Sequence, residues 1–279
     1  RIHLKPAFDH KKLESLTPMD IQHLYNSLLE REHPLTPKTI KNIHGILHKA
    51  LQQAVELGYL RSNPSDPCKL PRVEKHEIQP LDEAATKEFL KAIRGNRYED
   101  IYLVTLFTGM REGLSWRYVD FILGNIVIAQ QLQYKRGTGE YIITSPKNSK
   151  RRTITPALFV MDILRRVKYR QIDWKRAAGN AWVDSGLIFT TELGEHLSPK
   201  SVYNHFKKLA DEIGLPATRF HDLRHSYAVA ALQSGDDIKT VQENLGHHTA
   251  AFTLDVYGHV TEKMKRDSAV RMQKYIDIL

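Results

Sequence analysis

The chain has a single cysteine, Cys68, in 279 residues. An internal disulfide is therefore impossible, and zinc sites built on cysteine clusters are excluded. A reducing cytosol is the expected compartment. Runs of apolar residues long enough to cross a bilayer are missing, as are a signal-peptide pattern, internal repeats and low-complexity tracts. Acidic residues are in deficit: 32 Asp and Glu against 41 Lys and Arg leave a net charge of +9 and a pI near 9.4. That balance argues for a polyanionic partner and says nothing about fold. The first residue is Arg1, so the chain reads as a fragment or processed form. Its length suffices for two ordinary domains.

What is present begins with helix signals. Thr17-Pro18-Met19-Asp20 predicts a start, with Thr17 as cap, Pro18 at the first helical position and Asp20 closing a capping box. Ile21, Leu24, Tyr25 and Leu28 follow at helical spacing. Thr36-Pro37 repeats the signal before a stripe of Ile40, Ile43, Leu47, Ala50, Leu51 and Ala54 that should stop at Gly58. Three prolines between Ser62 and Pro71 then mark a linker or strap. Residues 1–70 are expected to form a helical domain, 71–80 a linker and 81–260 a second domain, with a tail over 261–279. The second domain should open with a helix at Leu81-Asp82-Glu83. Strands are predicted at Asn125–Ala129 and Glu140–Thr144, around a turn at Lys135–Gly139, and at Arg152–Thr155, then a helix from Ser198-Pro199 to Gly214 and further helices divided by Gly235 and Gly246. The expected class is mainly α with a small antiparallel sheet.

Four separated segments carry chemistry. Thr108-Gly109-Met110-Arg111-Glu112-Gly113 sets an arginine between glycines at the end of an apolar helix. Ser145-Pro146-Lys147 places a lysine in a turn between strands. His221-Asp222-Leu223-Arg224-His225 follows, and then Leu245-Gly246-His247-His248, with Tyr257 ten residues beyond His247. Singly, each has a plain structural reading: an arginine complementing a helix dipole, a surface lysine, a half-packed tyrosine. His221 and His225 have metal-ligand spacing, but Asp222 stands where His-Glu-x-x-His has glutamate, and no cysteine supports a zinc site.

In this order the segments resemble the tyrosine recombinase (phage-type integrase) family, particularly integrases of conjugative transposons. The run Leu245-Gly-His-His-Thr-Ala-Ala-Phe-Thr-Leu-Asp-Val-Tyr-Gly-His-Val260 is similar to the family's nucleophile box throughout. The stretch from Leu35-Thr-Pro-Lys-Thr-Ile40 to Pro71 is similar to the end of its helical core-binding domain. The resemblance implies a core-binding domain followed by an α+β catalytic domain. It also implies a preceding arm-binding domain. Arg111, Lys147, His221, Arg224 and His247 would form the active-site shell and Tyr257 the nucleophile.

Elementary chemistry fits those roles. Two guanidiniums suit the charge that gathers on a phosphodiester's non-bridging oxygens. A tyrosine hydroxyl with a pKa near 10 needs a base and a cationic field, and His221 is the candidate base. Lys147 would protonate the departing 5′ oxygen, and His247 would hydrogen-bond the scissile phosphate. The bond energy stays in a 3′-phosphotyrosyl link, so neither metal nor cofactor is expected. One departure stands out. The family pattern continues Arg-x-Gly-Glu, a few apolar residues, then Leu-x-Trp, whereas here Gly113 meets Leu114-Ser115-Trp116 about four residues early. If helical, that loss shortens the segment by about 6 Å and turns its face by only about 40°, so a similar side should stay buried.

The expected partner is double-stranded DNA, held by two basic domains. Lys38, Lys41, Asn42, His48, Lys49 and Gln52 avoid the apolar stripe of their helix; the lysines suit phosphates, and Asn42 or Gln52 base edges. Lys135, Arg136, Lys150, Arg151 and Arg152 gather charge around the strand turns. The resemblance implies that the tail docks on a neighbouring subunit of a dimer or tetramer on DNA. Two other readings stand beside the recombinase: a type IB topoisomerase, which shares the chemistry as a monomer, and a DNA-binding regulator that has lost catalysis.

Overall fold

The computed structural model describes residues 2–74, 80–110, 113–135, 141–145, 151–246 and 261–278. The chain divides into two compact units, Arg1–Glu77 and Ile78–Leu279. Among the described residues no helix is long and apolar enough to cross a membrane.

The first unit contains α1 (Leu4–Phe8), α2 (Pro18–Glu30) and α3 (Pro37–Glu56). The capping box at α2 is formed: Thr17 Oγ1 accepts from the Asp20 amide and Asp20 Oδ2 from the Thr17 amide. Ile21, Tyr25 and Leu28 of α2 share a core with Ile40, Ile43, Leu47 and Leu51 of α3. Burying side chains of this size stabilises by roughly 1.5–3 kcal/mol each. Ala50 departs from the predicted stripe and is exposed. The helix ends at Leu57, and Gly58 takes the left-handed turn at φ +81°.

The proline-rich stretch is a strap, not a loose connector. Ser65 is fully buried, and its amide and hydroxyl both donate to Asn63 Oδ1, at 3.0 and 2.7 Å. Asn63 in turn donates to the His48 carbonyl, Gln22 exchanges two hydrogen bonds with the Lys69 backbone, and Cys68 and Leu70 pack on the core.

In the second unit, Asp82 caps α4 (Glu83–Ala92), followed by α5 (Glu99–Thr108), α6 (Leu158–Ala178), α7 (Pro199–Glu212), α8 (Asp222–Ser234), α9 (Ile238–Leu245) and α10 (Thr261–Ile276). Strands β1 (Val119–Asp120), β2 (Asn125–Ile128) and β5 (Arg152–Ile154) make one antiparallel sheet in the order β1-β2-β5. A separate pair joins β3 (Gln131–Tyr134) to β4 (Tyr141–Thr144). This corrects the expected pairing of the strands around one turn. Asn125–Ile128 partners β1 and β5, while the partner of Tyr141–Thr144 is Gln131–Tyr134, whose alternating glutamines hide its strand character.

Helix α6 was not expected. It runs for 21 residues and buries Val160, Ile163, Leu164 and Val167, yet it starts at Ala157 with no side-chain cap to announce it. The core gathers Phe89, Tyr102 and Phe206 with the half-buried Phe220, their rings 5.6–6.1 Å apart. Helix α5 lies against α6 and α8 and is buried nearly all round. On α10, Val270, Met272, Tyr275 and Ile276 are exposed.

Candidate active site

The site is built where three helix ends and one strand meet. Helix α5 stops at Gly109, in the left-handed conformation at φ +62°; α9 stops at Gly246, also left-handed at φ +67°. Both ends direct carbonyls, with their partial negative charge, at α8. Arg224, on the first turns of α8 and only 6% exposed, receives them. Its Nη1 donates to the Gly109 carbonyl at 2.6 Å, and its Nη2 donates to the Leu245 carbonyl. A buried guanidinium is costly unless compensated, and hydrogen bonds at both ends of the fork fix its plane.

Glycine is required at the first of these ends. A Cβ on Gly109 would sit 2.5 Å from Leu245 Cδ2 and 3.3 Å from Arg224 Cγ. Arg152 of β5 closes the fourth side, donating from Nε to the Asn244 carbonyl at 3.0 Å. The Asn244 amide donates to Tyr227 Oη at 3.0 Å.

The start of α8 is clamped as well. Asp222, 2% exposed, accepts from Arg219 Nε and Nη2 at 3.1 and 2.8 Å and from the Arg219 amide. The hydroxyl of Ser226 donates to the Asp222 carbonyl and accepts the Leu81 amide. His221 precedes the helix and is exposed; its ring meets that of buried His225 edge-on at 5.1 Å. Burial holds the His225 imidazole below its ordinary pKa, and burial likewise raises the Tyr227 phenol. Among the described residues no three potential metal ligands cluster.

Helix α5 ends at Gly109, and the described part of the shortened segment does not prolong it: Gly113–Ser115 are non-helical and Trp116–Tyr118 form a single 3-10 turn. Gly113, at φ +95°, lies so close to β3 that a Cβ would be 2.9 Å from the Leu132 amide nitrogen, and its carbonyl accepts from Gln130. Leu114 and Trp116 then take strand-like hydrogen bonds from Ile188 and to Gly186, with Ser115 bridged to Leu187. Trp116 Nε1 donates to buried Gln171.

Of the six predicted catalytic residues, His221 and Arg224 are described, on one helix start. Arg111, Lys147, His247 and Tyr257 lie outside the described residues, as do Arg136 and Lys150. The described flanks converge nonetheless: Gly109 is two residues before Arg111, Leu245 two before His247, and both are bonded to Arg224. Lys38, Lys41, Asn42 and Lys49 are exposed on α3, and Lys135 and Arg151 are exposed in the second unit. Gln52 is half-buried and accepts from Asn63 at 3.4 Å. The hold of Arg152 on α9 was not anticipated. Nothing in the spacing announces it, because the acceptor is a backbone carbonyl 92 residues away.

Comparison with known proteins decides the family. The model of the phage integrase family matches residues 71–264. The chain belongs to that family. It is thereby a tyrosine recombinase, an enzyme of site-specific DNA cleavage and rejoining, which favours this reading over a topoisomerase or a regulator. Relatives include a tyrosine recombinase XerC-like protein of Caldanaerobacter subterraneus, 29% identical over 92% of this chain and 71% of its own length. The ICEBs1 integrase of Bacillus subtilis is 26% identical over 97% and 74%. Among solved structures, the Tn1549 transposon integrase in complex with a circular intermediate DNA has a TM-score of 0.75 at 24% identity, covering 93% of this chain and 86% of that one. A lambda integrase dimer bound to a core site has a TM-score of 0.65 at 16% identity. At those identities the likeness establishes the fold: mainly helical, with a small antiparallel sheet component.

Proposed function

We propose that this tyrosine recombinase excises and integrates a mobile DNA element, with Tyr257 as the nucleophile. Tyr257 attacks the scissile phosphate and becomes joined to the 3′ phosphate while the 5′ oxygen leaves with a proton from Lys147. His221 takes the tyrosine proton, Arg111 and Arg224 bind the non-bridging oxygens, and His247 hydrogen-bonds the same phosphate. A 5′-hydroxyl of a second strand reverses the step, so no external energy source is needed.

The observation that carries this reading is the two-point hold on Arg224. Its guanidinium is buried and oriented by Gly109 and Leu245 before any substrate arrives, which is the preorganisation that electrostatic stabilisation of a phosphoryl transition state requires. Double-stranded DNA is the partner, in keeping with the DNA-bound integrases that share the fold. Residues 1–70 and 81–260 act as core-binding and catalytic domains joined by 71–80. Lys38, Lys41, Asn42, Lys49 and Gln52 face DNA from the first, and Lys135, Arg136, Lys150 and Arg151 from the second. The exposed apolar residues of α10 support docking of the 261–279 tail on a neighbour, giving dimers and tetramers on DNA. The setting is the bacterial cytosol, at the nucleoid.

The test uses nicked duplexes, screened from element-end sequences, that lose a short fragment on cleavage and trap the intermediate. Incubation in EDTA should yield a covalent protein–DNA band on a denaturing gel, and Tyr257→Phe should abolish it. A band that survives Tyr257→Phe, or no band on DNA that the chain binds, would sink the mechanism.

A further inference from the structure

The end of α9 is held by two arginines from different elements. Arg224 of α8 takes the Leu245 carbonyl, and Arg152 of β5 takes the neighbouring Asn244 carbonyl at 3.0 Å. These carbonyls belong to the last turn of the helix, where backbone acceptors lack partners within the helix and partial negative charge accumulates. The contact with Arg152 is close. A Cβ on Gly246 would lie 2.7 Å from Arg152 Nη1 and 3.0 Å from its Cζ, so the guanidinium rests directly over Gly246. Asn244 is secured a second time by its side chain, which donates to the half-buried Tyr227.

The position of these groups along the chain gives the contact its meaning. Arg152 pairs with Ile128 in β5, five residues after Lys147. Asn244 stands three residues before His247 and thirteen before Tyr257. One hydrogen bond therefore ties the strand that follows the lysine segment to the helix that delivers the histidine–tyrosine segment. A solvated phosphate-binding arginine has a different character: exposed, mobile and replaceable by lysine. Arg152 is half-buried, its Nε committed to a backbone carbonyl.

We propose that Arg152 is a positioning residue, which fixes the C-terminal end of α9 so that the segment beginning at His247 meets the phosphate in register with the lysine segment. The proposal rests on the functional reading above. It assigns Arg152 to the alignment of the catalytic groups in place of a direct phosphate contact.

The experiment compares the full chain with Arg152→Ala and Arg152→Lys on a duplex that the wild type cleaves. Binding affinity as a function of salt, the single-turnover rate of covalent complex formation at saturating protein, and thermal melting are measured for each. Hydrogen exchange over residues 238–246 is followed in the same samples. Expected for both variants are affinity within about threefold of wild type and an unchanged salt slope. Cleavage of the bound duplex should fall at least about tenfold, as for a misaligned reacting group, and exchange at the end of α9 should quicken. Lysine should not rescue, since it has no Nε–H at the guanidinium's position.

A salt slope lower by about one, with cleavage of the saturated complex intact and lysine restoring affinity, would make Arg152 a phosphate contact and overturn the proposal. Unchanged exchange in a folded variant would overturn it as well. If the Arg152 variants melt, Tyr227→Phe removes only the second hold on Asn244 and should show a smaller loss of the same kind; no loss there counts against the proposal. Hydrogen exchange needs no catalysis, so failure of the wild type to cleave would count against the phosphotyrosine reading alone.

Discussion

Helices α3 and α8 carry cations in opposite ways. Helix α3 buries Ile40, Ile43, Leu47, Leu51 and Ala54 along one stripe and leaves Lys38, Lys41 and Lys49 in solvent. Helix α8 buries nine of its thirteen residues, Asp222, Arg224, His225 and Ser226 among them. A lysine in water costs little to keep and little to lose. A buried arginine must be compensated from every side, and the groups that compensate it come from α5 and α9. The difference teaches where each kind of function resides. On the function proposed above, a single replaceable contact belongs on an amphipathic face, whereas a transition-state contact needs the whole unit behind it.

The contrast breaks most completely at Arg224. Replacing it by alanine leaves two buried carbonyls unpaired, at about 1–3 kcal/mol each, and removes a charge-stabilising donor, which typically costs about 100- to 1000-fold in rate. Arg224→Lys keeps the charge but cannot bridge the Gly109 and Leu245 carbonyls as a fork, so cleavage should stay depressed at least about 100-fold. Urea unfolding and single-turnover cleavage measure the two losses. A fully active Arg224→Lys would show that point charge suffices and that the two-carbonyl hold is incidental.

The same substitution, glycine to alanine, should have opposite signs on α3 and at the α5 end that packs on Arg224 of α8. At Gly109 a Cβ meets Leu245 Cδ2 at 2.5 Å on a left-handed backbone, so Gly109→Ala should destabilise by about 2–4 kcal/mol. Gly45 lies mid-way along α3, and nothing is within 4 Å of its Cβ position. Gly45→Ala should stabilise by about 0.5–1 kcal/mol through helix propensity. Denaturant midpoints of the two variants decide it. Equal signs would mean that the crowding at the α5–α8–α9 junction is relieved elsewhere.

The contrast also marks how far the sequence is legible. Helix α3 is readable because its stripe, its Thr36 cap and Gly58 all report local physics. The helix-start signals at Thr17, Asp82 and Ser198 hold for the same reason. Helix α6 is less sharply amphipathic and begins at Ala157 without a cap, and β3 alternates glutamine with apolar residues, so neither announces itself. The family is legible as residue types in a given order, and the match over residues 71–264 agrees. Long-range pairing is not legible: the partners of Arg224 and Arg152 are backbone carbonyls, which carry no residue identity. The break after Arg111 shows the same limit, because Gly113 is fixed by its approach to Leu132 and Gln130, not by its neighbours in the chain.

A gentler handle on α8 is pH. Burial depresses the His225 pKa from the ordinary 6.5. The unfolded chain then binds a proton that the folded chain resists, so this contribution to stability is present above about 6.5 and lost as pH falls below it. Melting temperature should therefore drop between pH 7.5 and 5. His44 and His205 are depressed by burial too and add the same sign. The informative quantity is the difference between wild type and His225→Gln, whose decline should be shallower. A parallel decline would mean that His225 titrates as in the unfolded chain.

The smallest effects belong to α3. Its last residue, Glu56, is the only acidic one in twenty, so the exposed face presents lysines with no carboxylate between them. If Lys41 and Lys49 each neutralise one phosphate, alanine at either should lower the slope of log affinity against log salt by about one. Affinity should weaken severalfold, about equally on cognate and unrelated duplexes, because a phosphate contact carries no sequence information. Stability should stay within about 0.5 kcal/mol, as neither side chain is buried. The rate of cleavage at saturating protein should not change. A loss confined to the cognate duplex, with the slope intact, would instead place the lysine at a base edge. It would then add a lysine to the base-edge contacts that Asn42 or Gln52 make from α3 on the reading proposed above.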